Sequence, residues 1–463
     1  MSEPLHIAYV CADRGVPIGG HKGASLHVAE LVRALGQRGA DVQVLAARVA
    51  ETGGTTLCGA PVIDVGGGRT ARRTRESLLK TQDGALSAAG AAEAAAILFN
   101  QELSRALERL HRSWRIDAVY ERYSLWSFAA SGFARAHGIP HLVEVNAPLP
   151  EEQKRYRDLE NEALAATLER HLFTSADRLL VPSAALVPYA TMRGADARAV
   201  QVVPNAADPA RFRPTRRRAA AGGQREEFTI GFVGSLKPWH GLDDLARAFR
   251  RLHRGWHGYR LLVVGDGPLR AEIEERLRGW GLASAVTFTG PAGHEQVPDW
   301  IARMDVALAP YPKDAPTYFS PIKIFEYMAA GVPIVASRVG QIADFLAHRR
   351  SALLHKPGAV GEIAACIEEL RRRPALGTRL SREARATLVR NYTWKKNAGR
   401  VLALVRTVQR EIAAGARENG RGVMPPKAAA TTPGRTSRKK AARRAAGPST
   451  TGARSTPRRP RKR

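Results

Sequence analysis

SPIKIFEYMAAGVPIVAS, residues 320–337, reads as a helix running into a buried strand. Ser320 is a natural N-cap and Pro321 suits the first helical position. Gly331 supplies the C-terminal stop, and Val332 to Ala336 is short, apolar and β-rich. Lys323 and Glu326 stand three apart, so both face one side near the helix start. A helix N-terminus offers free N–H groups and a positive dipole end to a phosphate group, and Lys323 adds a point charge. One turn deeper, the Glu326 carboxylate can accept hydrogen bonds from two vicinal hydroxyls such as those of a ribose. A phosphate cradle backed by a ribose acceptor is what a nucleotide-sugar site requires. Two solvated charges on an amphipathic helix fit the same stretch, and the rest of the chain weighs between the two.

Short apolar runs alternate with helix-like segments on both sides of this stretch. In the first half the runs are His6–Ala12, Asp41–Ala47, Asp117–Tyr123, His141–Ala147, Arg178–Ser183 and Gln201–Asn205. In the second they are Phe228–Ser235, Tyr259–Gly267, Ala285–Gly290, Asp305–Tyr311, Val332–Ser337 and Ser351–Lys356. Strands alternating with helices imply parallel sheets covered on both faces, and two such series imply two doubly wound α/β domains. The boundary falls at 206–227, where ADPARFRPTRRRAAAGGQREE is rich in Pro, Gly and basic residues and lacks periodicity. Residues 84–111 predict a core-packing helix, 151–176 one long charged helix near the first domain's cleft, and 393–413 a helix able to pack back across the junction.

The chain has 463 residues, enough for two to three cores. No apolar run approaches the ~20 residues of a membrane span. MSEPLHIAYVCA lacks the basic start and cleavage site of a signal peptide, so a cytoplasmic location is expected, with peripheral contact at the inner membrane face as a further expectation. Cys11, Cys58 and Cys366 are too scattered for a metal cluster or a disulfide framework. The net charge of +29 is uneven: residues 421–463 hold 14 Lys or Arg and no acid. With Pro, Gly, Ser, Thr and Ala between the charges, the tail cannot bury enough apolar surface to fold and is expected to be disordered. It has no aromatic residue on which bases stack, yet it can hold an anionic membrane or nucleic acid electrostatically, or serve only to solubilise.

Several loops follow strands at the edge where open α/β sheets bind ligands. GVPIGGHKGAS (15–25), with Gly20 and His21, is a Gly-rich turn into a helix, without a Walker lysine pattern or a full GxGxxG. VGSLKPWHG (233–241) carries Gly234, Ser235, Lys237 and His240, and Lys237 or His240 can meet a diphosphate. VVGDGP (263–268) sets Gly265 and Gly267 around Asp266. AVYERYS (118–124) and LVEVNAP (142–148) end strands with Glu121, Arg122, Glu144 and Asn146, which can line an opposite wall or form strand-end ion pairs.

The ordered set GASLHVAELVRALGQRGADVQVLA (23–46), PNAADPARF (204–212), GSLKPWHGLDDLARAF (234–249), GDGP (265–268) and SPIKIFEYMAAGVPIVAS (320–337) resembles glycosyltransferase family 4, over roughly residues 5–410. The resemblance implies the GT-B architecture, two Rossmann-like domains facing a cleft. Residues 1–206 would bind the acceptor and 207–390 the nucleotide-sugar donor; a helix over 391–414 would pack back, and 415–463 would form the disordered tail. It implies a retaining, metal-independent transfer with no cofactor, the nucleotide-diphosphate sugar being a co-substrate. Glu326 matches the glutamate that holds the donor ribose. Ser320, Pro321 and Ile322 match the backbone approaching diphosphate and sugar, Phe319 is expected among the donor-binding residues, and Gly265 to Gly267 lie on the nucleotide side. The chain departs from the family in three places. Tyr318 stands where a first glutamate is usual, eight positions before Glu326. Ser235 and His240 stand where an Arg and a Lys are usual, leaving Lys237 and Lys323 to neutralise the diphosphate. Glu144 or Asn146 stands in the region of a usual first-domain histidine. The expected acceptor is a glycan, a lipid-linked molecule or a small molecule, with His21, Arg122, Glu144 and Asn146 on its side. A nucleotide-sugar epimerase of the same fold, and a degenerate scaffold with a binding tail, are the alternative expectations.

Overall fold

The structure, a computed structural model, describes residues 3–51, 54–66, 73, 76–77, 80, 86–214 and 226–421, with the backbone alone for 416–421. The basic tail beyond 421, half of the expected 206–227 boundary (215–225) and the start of the expected 84–111 helix lie outside the described residues.

The first sheet has eight strands: β1 (His6–Cys11), β2 (Asp41–Ala46), β3 (Thr56–Leu57), β4 (Ala60–Asp64), β5 (Ala118–Arg122), β6 (His141–Glu144), β7 (Arg178–Val181) and β8 (Val200–Val202). Their spatial order is β3-β4-β2-β1-β5-β6-β7-β8. The second has six: β9 (Phe228–Val233), β10 (Tyr259–Val264), β11 (Val286–Phe288), β12 (Val306–Ala309), β13 (Ile334–Ser337) and β14 (Leu353–His355), in the order β11-β10-β9-β12-β13-β14. All pairs are parallel except β3–β4. Both sheets are doubly wound, with order reversing beside β1 and beside β9.

Alternation along each strand sends neighbouring side chains to opposite faces. Ile7 and Tyr9 pack with Leu31 and Leu35 of the helix Gly23–Gly36, while Ala8 and Val10 pack with Leu103, Leu107 and Phe133. In the second sheet Ile230 and Phe232 meet Leu245 and Phe249, and Ala307 and Ala309 meet Ile324, Phe325 and Met328. All twelve expected strands are present, each one to a few residues shorter than its apolar run. The β3–β4 hairpin was not expected. It is short and half-exposed, and it turns through Cys58 at φ 54°, a position where glycine is the usual signal.

The expected helix over 151–176 is two helices, Leu149–Tyr156 and Glu162–Ser175. The break has a tertiary cause: Glu93, on the helix Ala88–Ser113, accepts from the Glu160 and Asn161 N–H groups at 2.9 and 3.2 Å and from Asn161 Nδ2 at 2.7 Å. The helix over 320–331 also differs from expectation. Its first residue is Ile322, with Pro321 at the N-cap position, and Gly331 ends it at φ 66°. Ser320 does not cap it, because its hydroxyl accepts from the Asn205 N–H at 3.1 Å.

The last helix, Trp394–Arg421, follows the second sheet but lies against the first-domain core. Trp394, Ala398, Val401 and Val405 join the cluster of Ile7, Tyr9 and Leu31. The Ala207 N–H donates to the Tyr392 carbonyl at 3.2 Å where the chain returns. No helix among the described residues is long and apolar enough to cross a membrane. Removing the buried indole in Trp394→Ala is expected to cost about 3–5 kcal/mol, read as a lower urea midpoint.

Candidate functional site

Three glycines at the carboxyl ends of β9 and β10 bring two loops into backbone contact. Gly234 sits at φ 139° and Gly265 at φ 129°. A Cβ on Gly265 would lie 2.2 Å from the Gly234 carbonyl oxygen, and one on Gly267 2.6 Å from the Leu236 nitrogen. Only glycine permits this approach and these dihedrals. Asp266 is turned to its own loop, accepting from the Gly267 N–H at 2.7 Å. The result is a floor of closely packed main chain.

Lys323 lies directly under this floor. A Cβ at Gly234 would meet its Nζ at 2.8 Å. The ammonium sits 4.0 Å from the centre of the Phe232 ring and 5.8 Å from that of Tyr311. It is 9% exposed, and its Nζ has no hydrogen-bond partner. Burial pushes its pKa down to about 7, against the opposing pull of Glu326. The solvated-face reading therefore fails: Glu326 is also buried, at 5% exposure.

The other donor-loop residues divide. His240 packs between Phe232 and Tyr311, and its Nδ1 donates to the Ser235 carbonyl. Burial, reinforced by Lys323, holds its pKa down at about 3, so it is a neutral ring. In the free site it carries no charge to set against a diphosphate, which leaves that part to Lys237 and Lys323. Lys237 lies over the Trp239 ring at 4.8 Å, and burial followed by the nearby charges of Lys22 and Arg157 lowers its pKa. Lys22 and Arg157 belong to the first domain, so cations gather from both sides of the cleft. Ser235 is exposed, and Phe319 rests on Tyr311 with ring centres 4.7 Å apart. Pro321, at the N-cap, and Ile322, the first helical residue, lead directly into Lys323 on the same helix.

On the first-domain side the expected acceptor residues do not form an open wall. Glu144 is 4% exposed and spends its carboxylate on neighbours: Tyr120 Oη at 2.7 Å, His27 Nε2 at 2.8 Å, Arg122 Nη1 at 3.3 Å and Asn146 Nδ2 at 2.5 Å. Arg122, Glu144 and Asn146 thus belong to one buried network, the strand-end alternative of the sequence reading. Glu121 is fully buried with Ser127 and with His141, 2.9 Å away. Gly20 turns tightly beneath the loop, its N–H donating to the Pro17 carbonyl at 3.1 Å, and His21 is exposed.

The network continues into the second domain, partly through residues the sequence did not single out: His27, Asn205, Gln341 and His294. His27 Nδ1 lies 2.7 Å from Asn205 Oδ1, and Asn205 Nδ2 donates to the Ser320 carbonyl at 2.6 Å. Gln341 Nε2 donates to the Pro182 carbonyl at 2.6 Å, and Tyr318 donates to Glu152 of the first domain. Glu326 Oε1 accepts from His294 Nε2 at 2.8 Å. The only local hints were His27 and Glu30 at helical spacing in HVAELV and the polar Asn205 after an apolar strand. Among the described residues no group of three or more His, Cys, Asp or Glu could hold a metal ion.

Unpaired positive charge, a helix N-terminus and glycine-lined main chain converge where two doubly wound domains face each other. Residues 22–206 match the glycosyl transferase 4-like domain, and residues 227–373 match glycosyl transferases group 1. The chain belongs to the group 1 glycosyltransferases of family 4, with the GT-B fold. It is 28% identical over 313 residues to the 2-deoxystreptamine glucosyltransferase of Streptomyces kanamyceticus, covering 64% of this chain and 78% of the relative. Sucrose-phosphate synthase from Thermosynechococcus elongatus shares its fold with a TM-score of 0.65 at 19% identity, over 87% of this chain and 99% of that one. HepE of Anabaena, solved in complex with UDP and glucose, does so with a TM-score of 0.62 at 16% identity, over 89% and 100%.

The Glu144 carboxyl is held down at about 2: burial alone would raise it, but His27, Arg122 and Tyr120 outweigh burial. The folded value is below the unfolded one, so the stabilisation is complete above about pH 4.5 and is lost as pH falls toward about 2. The urea stability of the wild type is expected to exceed that of Glu144→Gln by about 3 kcal/mol near neutral pH, the gap narrowing steadily below about pH 4.5.

Proposed function

We propose that this glycosyltransferase moves a sugar, with retention and without a metal, from a nucleotide-diphosphate sugar to an acceptor hydroxyl in polysaccharide or glycoconjugate biosynthesis. The observation that carries the reading is Lys323, an ammonium buried without a partner beneath the Gly234 turn. A buried cation of this kind is costly unless an anion completes it, and a diphosphate is such an anion. The complex of HepE with UDP and glucose supports a nucleotide donor in this fold.

In this reading the hard part of the reaction is charge building on the leaving diphosphate as the glycosidic C–O bond breaks. Lys323 and the start of the helix Ile322–Ala330 meet that charge from below, and Lys237 meets it from the side. Groups already placed before reaction stabilise it without reorganising, and the low-dielectric site strengthens each contact. The free oxygen of Glu326 receives the ribose hydroxyls. A leaving phosphate oxygen takes the proton of the acceptor hydroxyl, so no separate base is required. His240, neutral and turned to the Ser235 carbonyl, holds the donor loop in shape.

Two outcomes test this. In a calorimetric screen of the full chain against UDP, GDP, ADP and TDP, one nucleotide is expected to bind, and Glu326→Ala to weaken it about tenfold or more; no binding by folded protein overturns the reading. The second is a pH dependence. Lys323 of the free enzyme is charged below about pH 7 and neutral above it, so above that pH donor binding must take up a proton. The donor Kd is expected to rise by up to about tenfold per pH unit above about pH 7, and the slope to vanish in Lys323→Met.

A further inference from the structure

His294 occupies the loop between β11 and the helix Val297–Ala302, and no motif of the sequence points to it. It is 9% exposed and packs its ring against Phe212 at 5.7 Å. One ring nitrogen, Nε2, donates to Glu326 Oε1 at 2.8 Å. The other, Nδ1, lies 3.6 Å from Glu30 Oε1, an ion-pair contact. Glu30 belongs to the first domain, on the helix Gly23–Gly36, and is pinned there by Arg211 at 2.7 Å and by Arg33. A single rigid ring therefore spans from a fixed carboxylate of one domain to the Glu326 carboxylate of the other.

We propose that His294 is a positioning residue that couples ribose recognition to domain closure. The inference rests on the reading that Glu326 holds the donor ribose. By occupying Oε1, His294 fixes the carboxylate rotamer and leaves the second oxygen turned to the ligand. By meeting Glu30, it makes that orientation depend on the first domain being in place. Imidazole suits the task because its two nitrogens lie on opposed edges of one plane and can each face a carboxylate. Glutamine can keep one contact only, since its amide presents an oxygen to the second carboxylate.

The test compares affinities of the full chain for the ribo and 2′,3′-dideoxy forms of UDP, GDP and ADP, measured by calorimetry. Wild type is expected to prefer the ribo form of its nucleotide by about tenfold or more, the worth of hydrogen bonds to a charged group. Glu326→Ala should abolish that preference. His294→Gln should shrink it severalfold while leaving the affinity for the dideoxy form unchanged, a pattern that general destabilisation does not produce. Glu30→Gln should shrink it as well, and the double variant should be no worse than His294→Gln alone. His294→Asn serves in its place if the glutamine variant melts early. A wild-type preference kept in either single variant overturns the coupling. A preference kept in Glu326→Ala, or absent from wild type, instead overturns the assignment of Glu326 to the ribose, and the role of His294 with it.

Discussion

The site depends on one ammonium group placed in a buried position without a hydrogen-bond partner. Burying Lys323 between aromatic rings and main chain costs free energy, visible in a pKa drawn down to about 7. The fold tolerates the cost because the surroundings are rigid. Tyr327, one turn further along the same helix, accepts from the Val233 N–H at 2.8 Å and donates to the Leu308 carbonyl at 3.4 Å, locking the helix to β9 and β12. The glycines of the donor loops are then a consequence. Any side chain on Gly234 would collide with the Lys323 Nζ, and any on Gly265 with the Gly234 carbonyl.

Much of this was legible in the sequence because buried parallel strands announce themselves as continuous apolar runs. The strand series, the two doubly wound domains and the Lys323–Glu326 spacing are local patterns, and local patterns survive reading without a structure. Elements governed by distant residues were not legible. The break between Tyr156 and Glu162 has no proline or glycine, and it is Glu93, 67 residues away from Glu160, that takes up the free N–H groups there. Ser320 has the composition of an N-cap, but Asn205 engages it from 115 residues away. In each case a tertiary hydrogen bond outweighs a propensity worth about 1 kcal/mol.

The first-domain residues teach a related lesson. Polar side chains at the carboxyl ends of β5 and β6 sit where ligands bind in α/β folds, so Arg122, Glu144 and Asn146 read naturally as a binding wall. Position alone does not decide whether such groups face a ligand or one another. A carboxylate that is 4% exposed and already accepts from four side chains has little left to offer. Its effect is mechanical: it orients His27, which holds Asn205, which grips the backbone of Ser320 immediately before the helix that carries Lys323.

That chain of contacts joins the two halves of the cleft at a revealing place. Asn205 follows the last strand of the first domain, and Ser320 precedes the helix whose N-terminus faces the cleft. A rotation of one domain against the other must therefore either carry Ser320 with Asn205 or break two buried hydrogen bonds, which leaves polar groups unpaired in a dry interior. A hinge running close to Asn205 is the geometry that avoids this cost. The helix start would then stay near the axis while the outer loops, with Lys237, Trp239 and Tyr318, swing through the larger arc. Their first-domain counterparts Tyr156 and Glu152 sit on the separate helix Leu149–Tyr156, and their contacts are ring packing and one side-chain hydrogen bond. Such contacts are exposed enough to exchange with water when they part. Such a hinge would leave the helix start fixed and let the rim move, as closure over a bound substrate requires.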